Sequence, residues 1–187
     1  RPDVVLSRVD APGVQVFRNS PSGLLLPNEL PTGQGPTSVA VGDVNGDGYD
    51  DVIVGAPEFD NSRGRIFVYF GGSSMDTIAD MYDTGPSTLW RLGQSVSSAG
   101  DLNNDGYPDI AVGVPGANSS RGSAYFYYGG STLDSTFDYS ISGGLANEEA
   151  GACVANVGDL NGDGIDEVAV GFPGYDSGKG STRVIFG

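Results

Sequence analysis

Residues 43–51 of the chain read DVNGDGYDD, with oxygen-bearing side chains at alternate positions around a glycine that permits a sharp turn. The pattern returns as DLNNDGYPD at residues 101–109 and as DLNGDGIDE at residues 159–167, a constant spacing of 58 residues. One such stretch would be a weak signal, whereas three in strict register indicate a repeat protein. Each stretch is typical of a loop that binds a divalent cation.

The composition of the chain favours an all-β globular fold. Of its 187 residues 38% are apolar, and the 31 glycines follow the register of the repeat, as expected for many short strands and tight turns. The 24 acidic and 9 basic residues give a formal net charge of −15, which disfavours nucleic acid and anionic membranes as partners and attracts cations. No apolar run approaches the length of a membrane span, so membrane insertion is not expected.

Each repeat is predicted to contain four short strands. A glycine precedes the first strand, the acidic stretch follows it, and the second strand is apolar on both faces, as in VIVGAP at residues 52–57. An aromatic third strand and a less regular fourth strand complete a unit that is typical of a β-propeller blade. We therefore predict an incomplete propeller-like array of four-stranded antiparallel blades. Its predicted parts are a partial blade at 1–34 and blades at 35–92, 93–150 and 151–187, the last without its fourth strand.

The acidic stretches offer the ligands that calcium prefers. Calcium binds six to eight oxygens at about 2.3–2.6 Å in a forgiving geometry, whereas magnesium demands a stricter octahedron. Transition metals favour His or Cys, and the chain has no His and one Cys. We predict up to three calcium ions, with Tyr49, Tyr107 and Ile165 acting through their backbone carbonyls. The full set of predicted ligands is Asp43, Asn45, Asp47, Tyr49, Asp51, Asp101, Asn103, Asp105, Tyr107, Asp109, Asp159, Asn161, Asp163, Ile165 and Glu167.

Two other interpretations fit the acidic stretches less well. An EF-hand or dockerin loop begins with the same spacing but needs a bidentate acid at loop position twelve and flanking helices. Position twelve is Val54, Val112 or Val170 here, each inside an apolar run. An acidic turn that binds nothing would crowd three carboxylates within nine residues three times over, and their mutual repulsion is costly without a cation.

The pattern Gly-Asp-x-Asn-x-Asp-Gly-x-x-Asp-x-x-Val-Gly-x-Pro resembles the FG-GAP repeats of integrin α-chain propellers and of related bacterial extracellular proteins. The resemblance covers residues 35–187 and, in part, the segment before them. It implies a propeller, seven-bladed in integrins, with one calcium ion between the first two strands of a blade, and an extracellular role in adhesion or assembly. Glu167 stands where the repeat has Asp, which implies a weaker or longer-reaching third site.

Three further features of the sequence are candidate functional sites. Asn118-Ser119-Ser120 is an N-glycosylation sequon in a predicted surface loop, although the aligned Asp60 and Asp176 indicate an Asx residue that shapes a turn. The aromatic residues of the third strands could stack sugars, but their alternation favours packing between blades. No enzymatic activity is predicted, because histidine is absent and adjacent acids on a strand point to opposite faces.

The sequence as a whole predicts a secreted or cell-surface, calcium-stabilised repeat protein with a structural role in adhesion or assembly through protein partners. A propeller closes with roughly four to eight blades. The chain is therefore expected to be either an excerpt of a larger propeller-containing adhesin, or a unit that associates with further copies of itself as an oligomer or filament. A carbohydrate-binding propeller module that recognises glycans is the alternative function.

Overall fold

The computed structural model of the chain describes residues 4–7, 13–17, 19–20, 23–24, 28–33, 35–73 and 75–187. Within these ranges the N-terminal strands are β1 (Val4–Ser7), β2 (Gly13–Phe17), β3 (Asn19–Ser20), β4 (Gly23–Leu24) and β5 (Asn28–Pro31). Strands β1, β2 and β5 form one sheet in this order, and β3 pairs with β4. The remainder of the predicted partial blade lies outside the described residues.

Three further sheets follow, one for each acidic stretch, and we call them blades 1, 2 and 3. Blade 1 contains β6 (Ser38–Gly42), β7 (Asp51–Ala56), the helical turn α1 (Phe59–Ser62), β8 (Arg65–Tyr69) and β9 (Met81–Thr84). Blade 2 contains β10 (Val96–Gly100), β11 (Asp109–Val114), α2 (Ala117–Ser120), β12 (Ser123–Tyr127) and β13 (Tyr139–Ser142). Blade 3 contains β14 (Val154–Gly158), β15 (Glu167–Phe172), α3 (Tyr175–Gly178) and β16 (Ser181–Ile185).

Within each blade the strands pair in chain order, each antiparallel to the next. The described part of the chain is thus an array of propeller blades that does not close into a ring, and the predicted all-β fold class is confirmed. The exact boundaries of the repeats along the sequence stay a prediction.

The hydrophobic core lies between successive sheets, because neighbouring residues of a strand point to opposite faces. In β8, Ile66 and Val68 pack toward blade 2, whereas Phe67 and Tyr69 pack toward the N-terminal sheet. Every residue of β7 and β11 is buried, as their doubly apolar sequences predict. In β15, by contrast, Ala169 and Gly171 are only half-buried, because they point to the outer face of blade 3.

Backbone contacts between blades explain two of the glycines that follow the repeat. A Cβ atom built on Gly55 would lie 2.1 Å from the carbonyl oxygen of Gly93, and one on Gly113 would lie 1.9 Å from that of Gly151. The first strands of neighbouring blades also lie side by side, since the hydroxyl of Ser95 accepts a hydrogen bond of 3.1 Å from the backbone N–H of Val154. The 58-residue period therefore places backbone against backbone between blades 1 and 2 and between blades 2 and 3.

Candidate metal centres

The three acidic stretches form the loops between the first and second strands of the blades, and we call them loop 1 (residues 43–51), loop 2 (101–109) and loop 3 (159–167). All three loops lie at the same end of the array, because each follows the first strand of its blade. In loop 1 the turn uses Gly46 and Gly48, with φ of 74° and 88°, a left-handed conformation that L side chains rarely adopt.

Side chains at positions one, three and five of each loop turn inward and accept hydrogen bonds from the loop backbone. In loop 1 the Asp43 carboxylate accepts the N–H groups of Asp47 at 3.1 Å and Gly48 at 2.8 Å. Asp47 in turn accepts the N–H of Tyr49 at 2.9 Å. Loop 2 repeats this arrangement at Asp101, whereas in loop 3 the carboxylate of Asp159 accepts the N–H groups of Gly162 and Gly164. The backbone thus directs three oxygen-bearing side chains toward the centre of each loop.

Position nine carries a buried carboxylate, which is the first residue of β7, β11 or β15. The Oδ2 atom of Asp51 accepts the N–H of Val44 at 2.9 Å, and its Oδ1 atom accepts that of Gly71 at 2.7 Å. The same atoms of Asp109 accept the N–H groups of Leu102 and Gly129, both at 2.8 Å. In loops 1 and 2 the position-nine side chain therefore ties the loop to the end of the third strand of its own blade.

The electrostatics of loops 1 and 2 favour a bound cation. Burial and, to a smaller extent, repulsion from Asp47 and Asp43 together raise the pKa of Asp51 to about 6, despite its two backbone hydrogen bonds. Burial likewise raises the pKa of Asp109 to about 6. A buried carboxylate beside two more carboxylates is stabilised in its charged form by a positive ion, and no Lys or Arg pairs with these loops among the ion pairs of the described residues.

Loop 3 brings its carboxylates closest together. One oxygen each from Asp159, Asp163 and Glu167 lie within 4.8 Å of one another, and it is the one such group found in the described part of the chain. Glu167 has one more methylene than Asp, so its Oε1 reaches far enough to accept a hydrogen bond from Asn161 at 3.1 Å. The weaker or longer-reaching third site stays a prediction, and this cluster of hard oxygen donors fits calcium.

Several residues near the loops are not part of the predicted ligand set. Asp166, which adjoins Glu167, accepts a hydrogen bond of 2.7 Å from Asn156 and so lies outside the cluster. Gly71 and Gly129 support position nine but were not recognised from the sequence. Their signal was their register, since a glycine stands 20 residues after position nine in each repeat.

The remaining predicted features lie away from the loops. Asn118 is exposed in α2 with φ of 51°, a left-handed conformation that Asn tolerates. The rings of Tyr69, Phe126 and Tyr127 are buried between sheets, so these residues offer no platform for a sugar. In the described residues no helix is long and apolar enough to cross a membrane.

Comparison with known proteins places this geometry in context. The FG-GAP repeat model matches residues 35–69, 92–127 and 154–185, which is more than half of the chain. The chain is 33% identical over 154 residues to integrin alpha-5 of Xenopus laevis, a match that covers 75% of the chain and 15% of that protein. It is 45% identical over 101 residues to human integrin alpha-8, covering 49% of the chain and 10% of that protein. Human integrin alpha-6 is 31% identical over 167 residues, with 84% and 14% covered. The chain thus spans no more than about a seventh of the length of these relatives.

Proposed function

This chain belongs to the FG-GAP repeat family, and from that premise we propose that it is a calcium-stabilised extracellular module with a structural role in adhesion or assembly through protein partners. The FG-GAP repeat is a structural repeat and not a catalytic domain. The observation that carries the proposal is the buried carboxylate at position nine. It recurs in blades 1, 2 and 3, at the end of a loop whose predicted ligand atoms are all oxygens. In loop 3 this carboxylate is Glu167, and it completes the cluster of three carboxylates.

The chain's own residues would act on the ion as a clamp. Positions one, three and five and the carbonyl of position seven would surround it from the loop, and the carboxylate of position nine would join it to the second strand. A bound calcium ion supplies the positive charge that offsets repulsion among these carboxylates. Since the position-nine carboxylates of loops 1 and 2 also accept an N–H group from the end of the third strand, fixing the loop fixes three parts of the blade together.

Calcium dependence of thermal stability tests the proposal. A ligand at 100 times its Kd stabilises the folded state by about 2.7 kcal/mol per site. In a protein of this size each kcal/mol shifts Tm by about 2–4 °C. We therefore expect excess EDTA to lower Tm by at least about 5 °C, and Asp163→Asn to remove about a third of the shift. Asp176→Asn, an exposed acid paired with Lys179 outside the loops, is the matched control and should leave the shift unchanged. An identical Tm with calcium and with EDTA would refute calcium binding.

A second role, self-association, is favoured by the outer face of blade 3. Leu160 and Phe186 are 60% and 59% exposed there, whereas Val44, which corresponds to Leu160 in blade 1, is fully buried against blade 2. A Cβ on Gly171 would meet nothing closer than 3.6 Å, unlike the equivalent Gly113. We propose that this face contacts another copy of the chain. Light scattering should show a concentration-dependent oligomer that Leu160→Asp dissociates, and a wild-type monomer at all concentrations would eliminate this role.

We also propose Asn118 as an N-glycosylation site. The aligned Asp60 and Asp176 form ion pairs across their turns with Arg63 at 3.0 Å and Lys179 at 2.7 Å, so they shape those turns. Asn118 has no such pair among the described residues, and its side chain is exposed. On secretion from a eukaryotic cell, the chain should lose mass on treatment with peptide N-glycosidase, and Asn118→Gln should not. An unmodified wild-type chain would exclude this site.

A further inference from the structure

Loops 1 and 2 share one hydrogen-bonded segment, and from it we infer that these two loops bind calcium cooperatively. The inference rests on the calcium binding proposed above and concerns how one site regulates its neighbour. It depends on contacts across the boundary between blade 1 and blade 2, which join the ligand residues of one loop to those of the other.

A chain of backbone hydrogen bonds links the two position-nine carboxylates. The N–H of Val44 in loop 1 donates to Asp51 at 2.9 Å. The carbonyl oxygen of Val44 accepts the N–H of Gly130, also at 2.9 Å, from the end of β12 in blade 2. The preceding residue, Gly129, donates its N–H to Asp109 in loop 2 at 2.8 Å. One residue of loop 1, Val44, and one dipeptide of blade 2, Gly129–Gly130, thus connect the two buried carboxylates.

Side-chain packing reinforces this connection. Val44 lies between the predicted ligands Asp43 and Asn45, and its side chain is fully buried in the cluster between blades 1 and 2. The ring of Tyr107, whose carbonyl is a predicted ligand of loop 2, lies against Gly46 of loop 1. A Cβ atom on Gly46 would be 2.6 Å from Cε1 of this ring. Loop 1 is therefore in direct contact with a ligand residue of loop 2.

Because of these contacts, the conformational order of one loop depends on the conformational order of the other. Ion binding in loop 2 fixes Asp109 and Tyr107, and these residues position the Gly129–Gly130 segment and the ring against which loop 1 folds. A second ion then binds a loop that is already ordered, so it loses less conformational entropy on binding. Coupling between sites is reciprocal and typically changes affinity by about 5–150-fold. We expect at least about a fivefold effect between loops 1 and 2.

Calorimetric titration with calcium chloride tests the inference in the full chain. Loop 3 is disabled by Asp159→Asn with Asp163→Asn, so that loops 1 and 2 alone report. We expect two ions per chain and a Hill coefficient above 1. A further variant disables loop 2 as well, by Asp101→Asn with Asp105→Asn, and should bind one ion, at loop 1. The calcium affinity of loop 1 in this variant should be at least about fivefold lower than its affinity in the protein with loop 2 intact and occupied.

Two tyrosine variants separate coupling from a loss of folding, because neither removes a ligand atom. Tyr107→Ala removes the ring against Gly46 and keeps the carbonyl, so it should retain two ions per chain while the Hill coefficient falls toward 1. Tyr49→Ala, at the same position of loop 1, is the matched control and should keep the cooperativity, since its side chain is 49% exposed. Circular dichroism serves as the check that each variant is folded.

The outcomes distinguish this inference from the function on which it rests. The coupling would be overturned, and calcium binding left intact, if two ions bind independently in the protein with loop 3 disabled. Equal cooperativity in Tyr107→Ala and Tyr49→Ala would have the same meaning. An absence of calcium-dependent heat in the wild-type chain would overturn calcium binding itself, and the coupling with it.

Discussion

The contact between blades 2 and 3 can be tested by adding a single methyl group. Gly113 lies in β11, and a Cβ atom built on it would be 1.9 Å from the carbonyl oxygen of Gly151, the glycine that precedes the first strand of blade 3. Real Cβ atoms do not approach another heavy atom closer than 3.0 Å. The variant Gly113→Ala therefore requires the two backbones to separate by about 1 Å, and neither backbone can rotate away as a side chain could.

The cost of this separation follows from what the contact supports. Overpacking of a close-packed interior costs about 1–3 kcal/mol, and more when the backbone must move. Separation would also loosen the cluster around Val154 and Phe172, which is shared by blades 2 and 3. We expect Gly113→Ala to lower the free energy of unfolding by about 3 kcal/mol, which corresponds to a fall in Tm of about 6–12 °C.

Gly171→Ala is the matched control, because Gly171 occupies the same position in blade 3. Its Cβ would meet no heavy atom closer than 3.6 Å, and Ala in a strand is favoured over Gly by about 0.5–1 kcal/mol. In the monomeric chain, at low protein concentration, the control should therefore be neutral or slightly stabilising. Chemical denaturation in saturating calcium, monitored by tyrosine fluorescence, gives both values under one condition. Equal changes for the two variants would show that the close approach of Gly113 to Gly151 does not limit the packing of blades 2 and 3.

Two other predictions concern contacts across the boundary between blades 1 and 2. Val44→Ala should lower the free energy of unfolding, measured by denaturant titration, by about 2 kcal/mol, because Val44 is fully buried. Leu160→Ala, at the same loop position of blade 3, should lower it by less than about 0.5 kcal/mol. Similar losses of stability in the two variants would contradict the burial of Val44. Tyr127→Phe removes the 2.7 Å hydrogen bond from the tyrosine hydroxyl to Asp83 and should cost about 1–2 kcal/mol by the same measurement. Tyr82→Phe, on an exposed ring, should be neutral, and a neutral Tyr127→Phe would show that solvent replaces the lost donor.

Much of the fold could be predicted from local patterns. The alternating oxygen ligands of residues 43–51 and the doubly apolar run that follows them predicted a strand-connecting loop instead of an EF-hand, and β7 begins at Asp51 as that pattern requires. The 58-residue spacing predicted repeated blades. The helical turns α1–α3 were not predicted, because they depend on left-handed residues such as Asp60 and Asn61 and lack the periodicity of a longer helix.

The sequence by itself determined the identity and order of the predicted loop ligands, since these lie within nine residues and their spacing is a local property of the chain. Only the tertiary structure decided which of them are buried, and what supports them from a distance. Asp51 is joined to Gly71 and Asp109 to Gly129, 20 residues along the chain, because the third strand ends beside the start of the second. The contact of Val44 with Gly130 joins residues of different blades. Contacts between blades arise when blades stack and bury both faces, a long-range event that no local pattern encodes.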